Sequence, residues 1–289
     1  MTVSTTFLGL GAMGSALART VSDAGHRIVC WNRTGHRAQS LGEQGAVIAD
    51  SVEQAIVGTR TVVVCLFDAT SVRQVLEPVA TGLSGRTVIN LTTTTPNQSR
   101  DLARWAGERD IDLLDGAIMA VPETIGGPES AIFYSGSAEG FAQHRQLLDL
   151  WGESSYLGPD AGMAALYDTA MLAGMYAMFA GFLHGAAMVG SEGVPAGEFV
   201  RRQAPFLAAM TEQLADYAAT IDQQDYLGPG QQSLRFTETA LSTVMQASTG
   251  QGVTDEVLKP AHDLIRRQLA AGFGEHGTAR MFEELRSVR

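Results

Sequence analysis

The chain has 289 residues, of which 45% are hydrophobic and 18% charged, with 32 Gly and 9 Pro. That length and composition suit one large or two ordinary globular domains, and exclude a disordered, collagen-like or low-complexity chain. With Lys+Arg 20 against Asp+Glu 31 the net charge is -11, which sets nucleic acid aside as a partner, because binding its phosphate backbone needs a basic face.

The first apolar run, Thr5 to Gly9, enters a glycine cluster, and Ala16 to Ala24 follows with helical spacing until Gly25. A second apolar run, Arg27 to Trp31, completes a βαβ unit. Further strands are predicted at Ala46 to Ile48, Thr61 to Phe67, Thr87 to Leu91, Asp112 to Met119 and Ala131 to Ser135. Helical stretches fall at Arg37 to Glu43, Ser71 to Glu77 and Gln98 to Glu108. Alternating helices and near-continuous Val/Ile/Leu strands predict a parallel sheet covered on both faces. Beyond Ser155 to Gly158 strand signals disappear and helical patterns run to the C-terminus. The expected organisation is an α/β Rossmann domain over 1–160, a long inter-domain helix over 161–191, and an all-α domain over 192–289.

The segment Met171 to Ser191 has no Asp, Glu, Lys or Arg and is long enough to span a bilayer. It lacks flanking Lys/Arg and an aromatic belt and is rich in Ala, Gly and Met, so the expectation is a buried helix of a soluble protein, with no membrane partner. The N-terminus MTVSTTFLGLG has no signal-peptide pattern, which points to the cytoplasm. Cys30 and Cys65 sit in apolar runs as small hydrophobes, and the six histidines show no metal spacing, so no metal is expected. His184, in the apolar segment, reads as a satisfied core residue. The single lysine is Lys259.

Gly9, Gly11 and Gly14 form G-x-G-x-x-G between a strand and a helix, so the turn Gly9-Leu10-Gly11-Ala12-Met13-Gly14 is a candidate dinucleotide site. There the first glycine makes the turn, the second admits a pyrophosphate, and the third lets the helix pack on the sheet. After the second strand an NAD site would carry a carboxylate for the ribose hydroxyls. This chain has Asn32, Arg33, Thr34 and Arg37 instead. Two guanidiniums and a hydroxyl suit a 2′-phosphate, which favours NADP(H). Ligands of such sheets lie beyond the strands' carboxyl ends. Leu66 and Phe67, Asn90, Thr92 and Thr93, and Met119 and Ala120 are therefore further cofactor-binding candidates.

The segments TTFLGLGAMGSALA, WNRT, INLTTTTP, DGAIMAVPETIGGPESAIFYSG and LYDTAMLAGMYAMFAGFLHGAAM together resemble the NADPH-dependent imine reductases, relatives of the β-hydroxyacid dehydrogenases. The resemblance runs over essentially the whole length. It implies a homodimer that exchanges helical domains, with the active site between one subunit's Rossmann domain and the other's helical domain. It also implies reduction of small, mainly cyclic imines, with some reductive amination. The hydroxyacid dehydrogenases carry a lysine near the start of the inter-domain helix; here Leu166 takes that place. Their carboxylate-binding motif is equally unrecognisable in DGAIMAVPETIGG.

By the same resemblance Asp168 corresponds to an aspartate of many imine reductases, and Tyr176 to a tyrosine of the reductive-amination branch. At 100° per residue the two differ by about 80° around a helix and can border one cleft. A carboxylate suits the positively charged iminium that accepts hydride best, as a lysine suits a ketone oxygen. Thr93 stands where some reductive aminases have asparagine, and Glu123 where a small or apolar residue is usual. Phe206, Met210, Tyr217, Tyr226, Phe236 and Met245 are pocket candidates by analogy. Gly181 and Gly185 are expected to allow close helix approach at the dimer contact. Two other readings stay open on the residues alone: a β-hydroxyacid dehydrogenase-like carbonyl reductase, and a non-catalytic NADP-binding protein.

Overall fold

The computed structural model describes residues 4–286. The chain divides into two compact units, residues 1–173 and 174–289. The first is built on an eight-stranded sheet of order β3-β2-β1-β4-β5-β6-β7-β8. Its strands are β1 (Thr5–Leu8), β2 (Ile28–Trp31), β3 (Val47–Ile48), β4 (Thr61–Val64), β5 (Thr87–Asn90), β6 (Asp112–Met119), β7 (Ala131–Gly136) and β8 (Glu153–Tyr156). Its helices are α1 (Ala12–Asp23), α2 (Gln39–Glu43), α3 (Val52–Ile56), α4 (Ala69–Leu76), α5 (Ala80–Leu83), α6 (Pro96–Gly107) and α7 (Ala138–Leu148).

Six strands run parallel, in the order of a doubly wound dinucleotide fold. The expected all-parallel sheet needs one correction. β7 pairs antiparallel with β6, and β8 follows β7 in parallel. The turn through Pro122–Thr124 reverses the chain directly onto the β6 edge, where a parallel return would need a longer crossover. β8 is a strand that the sequence pattern does not predict.

The sheet is buried on both faces because consecutive strand residues point to opposite sides. Phe7, Val63, Ile89 and Leu114 pack with Leu17, Val21 and Trp151 in one core. Their neighbours Leu8, Val62, Val64, Val88 and Leu113 pack with Leu76, Leu102 and Trp105 in the other. The Trp151 indole N–H donates to the Leu17 carbonyl at 3.0 Å, which ties the end of α7 to α1. Side-chain caps start several helices: Asp68 for α4, Thr95 for α6 with a reciprocal bond from Gln98, and Ser137 for α7.

The helix α8 (Gly162–Gly190) spans the division between the units. It is the one helix among the described residues long and apolar enough to cross a membrane, with mean hydropathy 1.5. The expectation that it is a buried axis is not met within a single chain, since only 6% of its apolar stretch is buried.

The second unit holds α9 (Ala196–Met210), α10 (Gln213–Gln223), α11 (Leu234–Gly250), α12 (Lys259–Ala270) and α13 (Met281–Arg286). Neither α9 nor α10 has a buried residue. The anticipated roles of Gly181 and Gly185 separate here. A Cβ on Gly185 would come within 2.8 Å of the Phe199 ring of α9, so this glycine serves packing inside the chain, whereas Gly181 faces open space. His184 is a satisfied buried residue, with its Nε2 2.8 Å from the Ser248 hydroxyl. Lys259 pairs with Asp263 on the surface of α12.

Candidate active site

A cleft of about 440 Å³ opens at the carboxyl ends of β1, β2 and β4, where the strand order turns, with β2 on one side of β1 and β4 on the other. Gly9 takes φ +101°, and a Cβ there would lie 2.2 Å from the Cys65 carbonyl oxygen. A Cβ on Gly14 would lie 2.2 Å from the Gly9 carbonyl oxygen, so these two glycines are required by the turn itself. Gly11 is different: its Cβ would meet nothing within 4 Å and would project where the chain leaves room. No side chain caps α1 and its first turn holds no acidic residue, so its leading N–H groups remain available to an anion. This cradle fits a dinucleotide pyrophosphate.

Asn32 joins the cradle to β2, because its Oδ1 accepts the Leu10 N–H at 2.9 Å and its Nδ2 donates to the Thr34 carbonyl at 2.9 Å. Arg33, Thr34 and Arg37 line the same cleft. Among the described residues neither arginine is paired with a carboxylate, and no acidic residue lines the cleft. Leu66 and Phe67 also line it, Phe67 being 90% exposed. Sequence reasoning passed over Trp31, Cys65, Ser71, Gln74 and Val75, which complete the wall. Burial pushes the Cys65 thiol up to about 11, so it stays protonated and apolar.

Several further cofactor candidates do not line this cleft. The Leu10 side chain is in the core and only its backbone belongs to the turn. Asn90 is fully buried, and its Nδ2 donates to Asp115 Oδ1 at 2.7 Å. The Thr92 hydroxyl accepts the Leu66 N–H at 2.9 Å, which fastens the end of β4 to that of β5. Met119 and Ala120, at the end of β6, are half-buried and do not line the cleft. These side chains sit outside it because the cleft lies at β1, β2 and β4, whereas β5 and β6 continue the sheet beyond it.

Thr93 belongs to a second constellation. Asp168, on the second turn of α8, is buried at 5% exposure. Burial raises its carboxyl above the ordinary aspartate value, and a hydrogen bond from Thr93 opposes that rise. The start of α8 is fixed by the buried Ser135, whose hydroxyl donates to the Ala161 carbonyl and accepts the Ala164 N–H at 2.9 Å. Tyr176 belongs to the second unit, where it is 64% exposed and meets Phe179 edge to face. Glu123 lies in the short turn Pro122–Thr124.

Comparison with known proteins places this arrangement. Residues 4–158 match the family of the NAD binding domain of 6-phosphogluconate dehydrogenase. Residues 160–287 match the C-terminal domain of NADPH-dependent reductive aminase-like proteins. The NADPH-dependent reductive aminase of Aspergillus oryzae is 36% identical over 95% of this chain and 94% of its own. The structure of a reductive aminase from Aspergillus terreus, in complex with NADPH4, cyclohexanone and allyl amine, superposes with a TM-score of 0.93 at 40% identity, covering 99% of this chain and 100% of that one. An imine reductase from Myxococcus stipitatus in complex with NADP+ superposes with a TM-score of 0.91 at 31% identity, over 98% and 99%. With a dinucleotide cradle and a buried helix aspartate, the chain belongs to the NADPH-dependent reductive aminase and imine reductase family of 6-phosphogluconate dehydrogenase-like proteins.

Proposed function

We propose that this chain is an NADPH-dependent imine reductase that also performs reductive amination, adding hydride to the carbon of a C=N bond in small, mainly cyclic imines. The observation that carries the reading is Asp168: a buried carboxyl with a raised proton affinity, bonded by Thr93, beside Leu166 rather than a lysine. A ketone oxygen gains negative charge on reduction and calls for a cation or a proton donor. An imine nitrogen is most reactive when protonated, and a carboxyl can supply that proton or offset the resulting charge.

The glycine turn and the start of α1 would hold the pyrophosphate, and Arg33, Thr34 and Arg37 the 2′-phosphate. The bound cofactor supplies the hydride from C4 of its nicotinamide. Asp168 holds a proton for the imine nitrogen and, once ionised, stabilises the iminium. Thr93 orients that carboxyl, and the Tyr176 hydroxyl assists at the nitrogen. Asn90 and Thr92 contribute by fixing the loop that carries Thr93.

The working form is a cytoplasmic homodimer with exchanged helical domains. Leu183, Phe206, Leu214 and Phe236 are each at least 60% exposed in one chain, an apolar surface that a second copy would cover. The reading is tested by following NADPH consumption with 1-pyrroline beside NADP+ reduction with 3-hydroxy acids. Turnover of the imine alone is expected; turnover of the hydroxy acids alone would assign the chain to carbonyl chemistry.

A further inference from the structure

The Rossmann sheet has a cavity at its amino edge as well as the cleft at its carboxyl edge. β1, β4 and β5 each begin with threonine, and Thr5, Thr61 and Thr87 stand in register across them. Two residues further along, Phe7, Val63 and Ile89 enter one of the two cores. Alternation along a strand therefore puts the three threonine side chains on the face that carries this core. A cavity of about 400 Å³ opens there, lined by these threonines together with His26, Arg60 and His144. It lies at the opposite ends of β1 and β4 from the cofactor cleft. Both strands have four residues, so the two sites are on the order of 13 Å apart.

The cavity presents donors. In a chain of net charge -11, no Asp or Glu among the described residues lines it. Arg60, just before β4, and His26, just before β2, have no side-chain partner among the described residues. His144, on α7, is oriented by its own helix: its Nδ1 lies 2.8 Å from the Gly140 carbonyl, which only accepts, so that nitrogen carries a proton. Its Nε2 lies 2.8 Å from the Thr61 hydroxyl. Neutral His144 accepts from Thr61 there, whereas the imidazolium donates and frees the Thr61 hydroxyl proton for the cavity. Thr87 donates to Asp112 Oδ2 at 3.2 Å, and Asp112 itself does not line the cavity. Thr5 is 6% exposed, and its hydroxyl has no partner among the described residues. A buried hydroxyl left unpaired is costly, so this one calls for a partner from the cavity.

We propose that the cavity is an anion site, built for the phosphate group of a small phosphorylated molecule and separate from the cofactor cleft. Arg60 supplies a forked, charge-assisted contact, protonated His26 and His144 add positive donors, and the Thr5 hydroxyl adds a neutral one. These donors come from β1, from the segments before β2 and β4, and from α7. A tetrahedral phosphate offers oxygens in three directions to such a surround, and a planar carboxylate only two in one plane. The volume is that of a small-molecule site rather than of a bare ion, and Gln146 and Leu147 are further lining for a polar organic group. The site does not depend on the imine chemistry.

The test uses the full chain saturated with NADPH, so that the cofactor cleft is filled. Imidazole resonances of 15N-histidine-labelled protein are followed while inorganic phosphate is added. His26 and His144 should shift and saturate, while His36, in the turn that carries Arg37, should stay in place. Glycerol 3-phosphate should produce the same shifts at equal or lower concentration, and acetate should not displace phosphate. Arg60→Gln should weaken phosphate binding about ten-fold or more, the scale of one charge-assisted bond. Thr5→Val keeps the shape, removes the hydroxyl, and should weaken binding about two-fold to ten-fold. The same shifts in sodium chloride of equal ionic strength, shifts that do not saturate, a response at His36 instead, or an affinity unchanged in Arg60→Gln would overturn the site. Acetate bound as tightly as phosphate would overturn its phosphate chemistry. Arg60 is exposed, so its replacement should leave the fold intact; if it does not, Thr5→Val alone decides.

Discussion

The two units solve the burial problem differently. The Rossmann unit closes two cores of its own, one on each face of the sheet, with Trp151, Phe7, Leu8 and Leu76 fully enclosed. The helical unit encloses little: no side chain of α9 or α10 is buried, and Phe206 and Phe236 are 60% and 61% exposed. An amphipathic helix gains most of its stability from covering its apolar face, so elements left this open need a partner surface. The first unit thus encloses its own cores beside the NADPH cleft, and the open faces of the second support the proposed dimer.

The largest expected effect contrasts the units directly. Trp151→Ala removes a fully buried indole and should cost about 3–5 kcal/mol of stability, independent of protein concentration in thermal melts. Phe206→Asp should leave the Rossmann core intact and shift light scattering from dimer to monomer. An unaltered dimer in Phe206→Asp would remove α9 from the interface.

Next is Asp168→Ala, expected to lower kcat for a neutral imine by about 10²–10⁴-fold, the range of a positioned acid or base, with NADPH affinity kept. An N-methylated iminium needs no proton, so its turnover by this variant separates proton donation from charge stabilisation. Loss on both substrates marks charge; loss on the imine alone marks the proton.

Smaller is Arg33→Ala, which gives up charge-assisted bonds of about 1.5–3 kcal/mol each and should reduce the NADPH over NADH preference about ten-fold to a hundred-fold. A preference left unchanged would move the 2′-phosphate away from Arg33.

A further effect is one of pH, confined to the first unit. The folded-state proton affinity of Asp115 is raised from 3.8 to about 7. The unfolded chain therefore loses that proton first as pH rises. Stability is fully present below the unfolded value and declines until the folded value is passed. The slope for one proton is about 1.4 kcal/mol per pH unit. Asp115→Asn should flatten this decline in chemical denaturation between those two pH values; an identical slope would mean that Asp115 does not titrate there.

How much of this was legible depended on how local the signal was. β1, β4, β5 and β6 read within a few residues because strands buried on both faces are continuous runs such as TVVV. β8 was missed because Glu-Ser-Ser-Tyr has neither an apolar run nor alternation. The direction of β7 is not legible because its start, Ala-Ile-Phe-Tyr, reads as the same continuous apolar run as the parallel strands. The glycine cradle and Arg33 were legible from adjacent residues. Ser71, Gln74 and Val75 were not, since they reach the cleft only because β4 lies beside β1. Asn90 and Thr92 were placed at a strand end correctly, yet their side chains face inward to Asp115 and Leu66. Strand-end position alone does not tell those two directions apart.

The central claim, hydride transfer to the carbon of a C=N bond, is tested most directly with NADPH carrying deuterium at both C4 positions of the nicotinamide. Incubated with 1-pyrroline and the wild-type protein, it should yield an amine bearing deuterium at the former imine carbon, at a rate that falls in Asp168→Ala. Amine without deuterium, or no consumption of the labelled cofactor while 3-hydroxy acids reduce NADP+, would contradict the account.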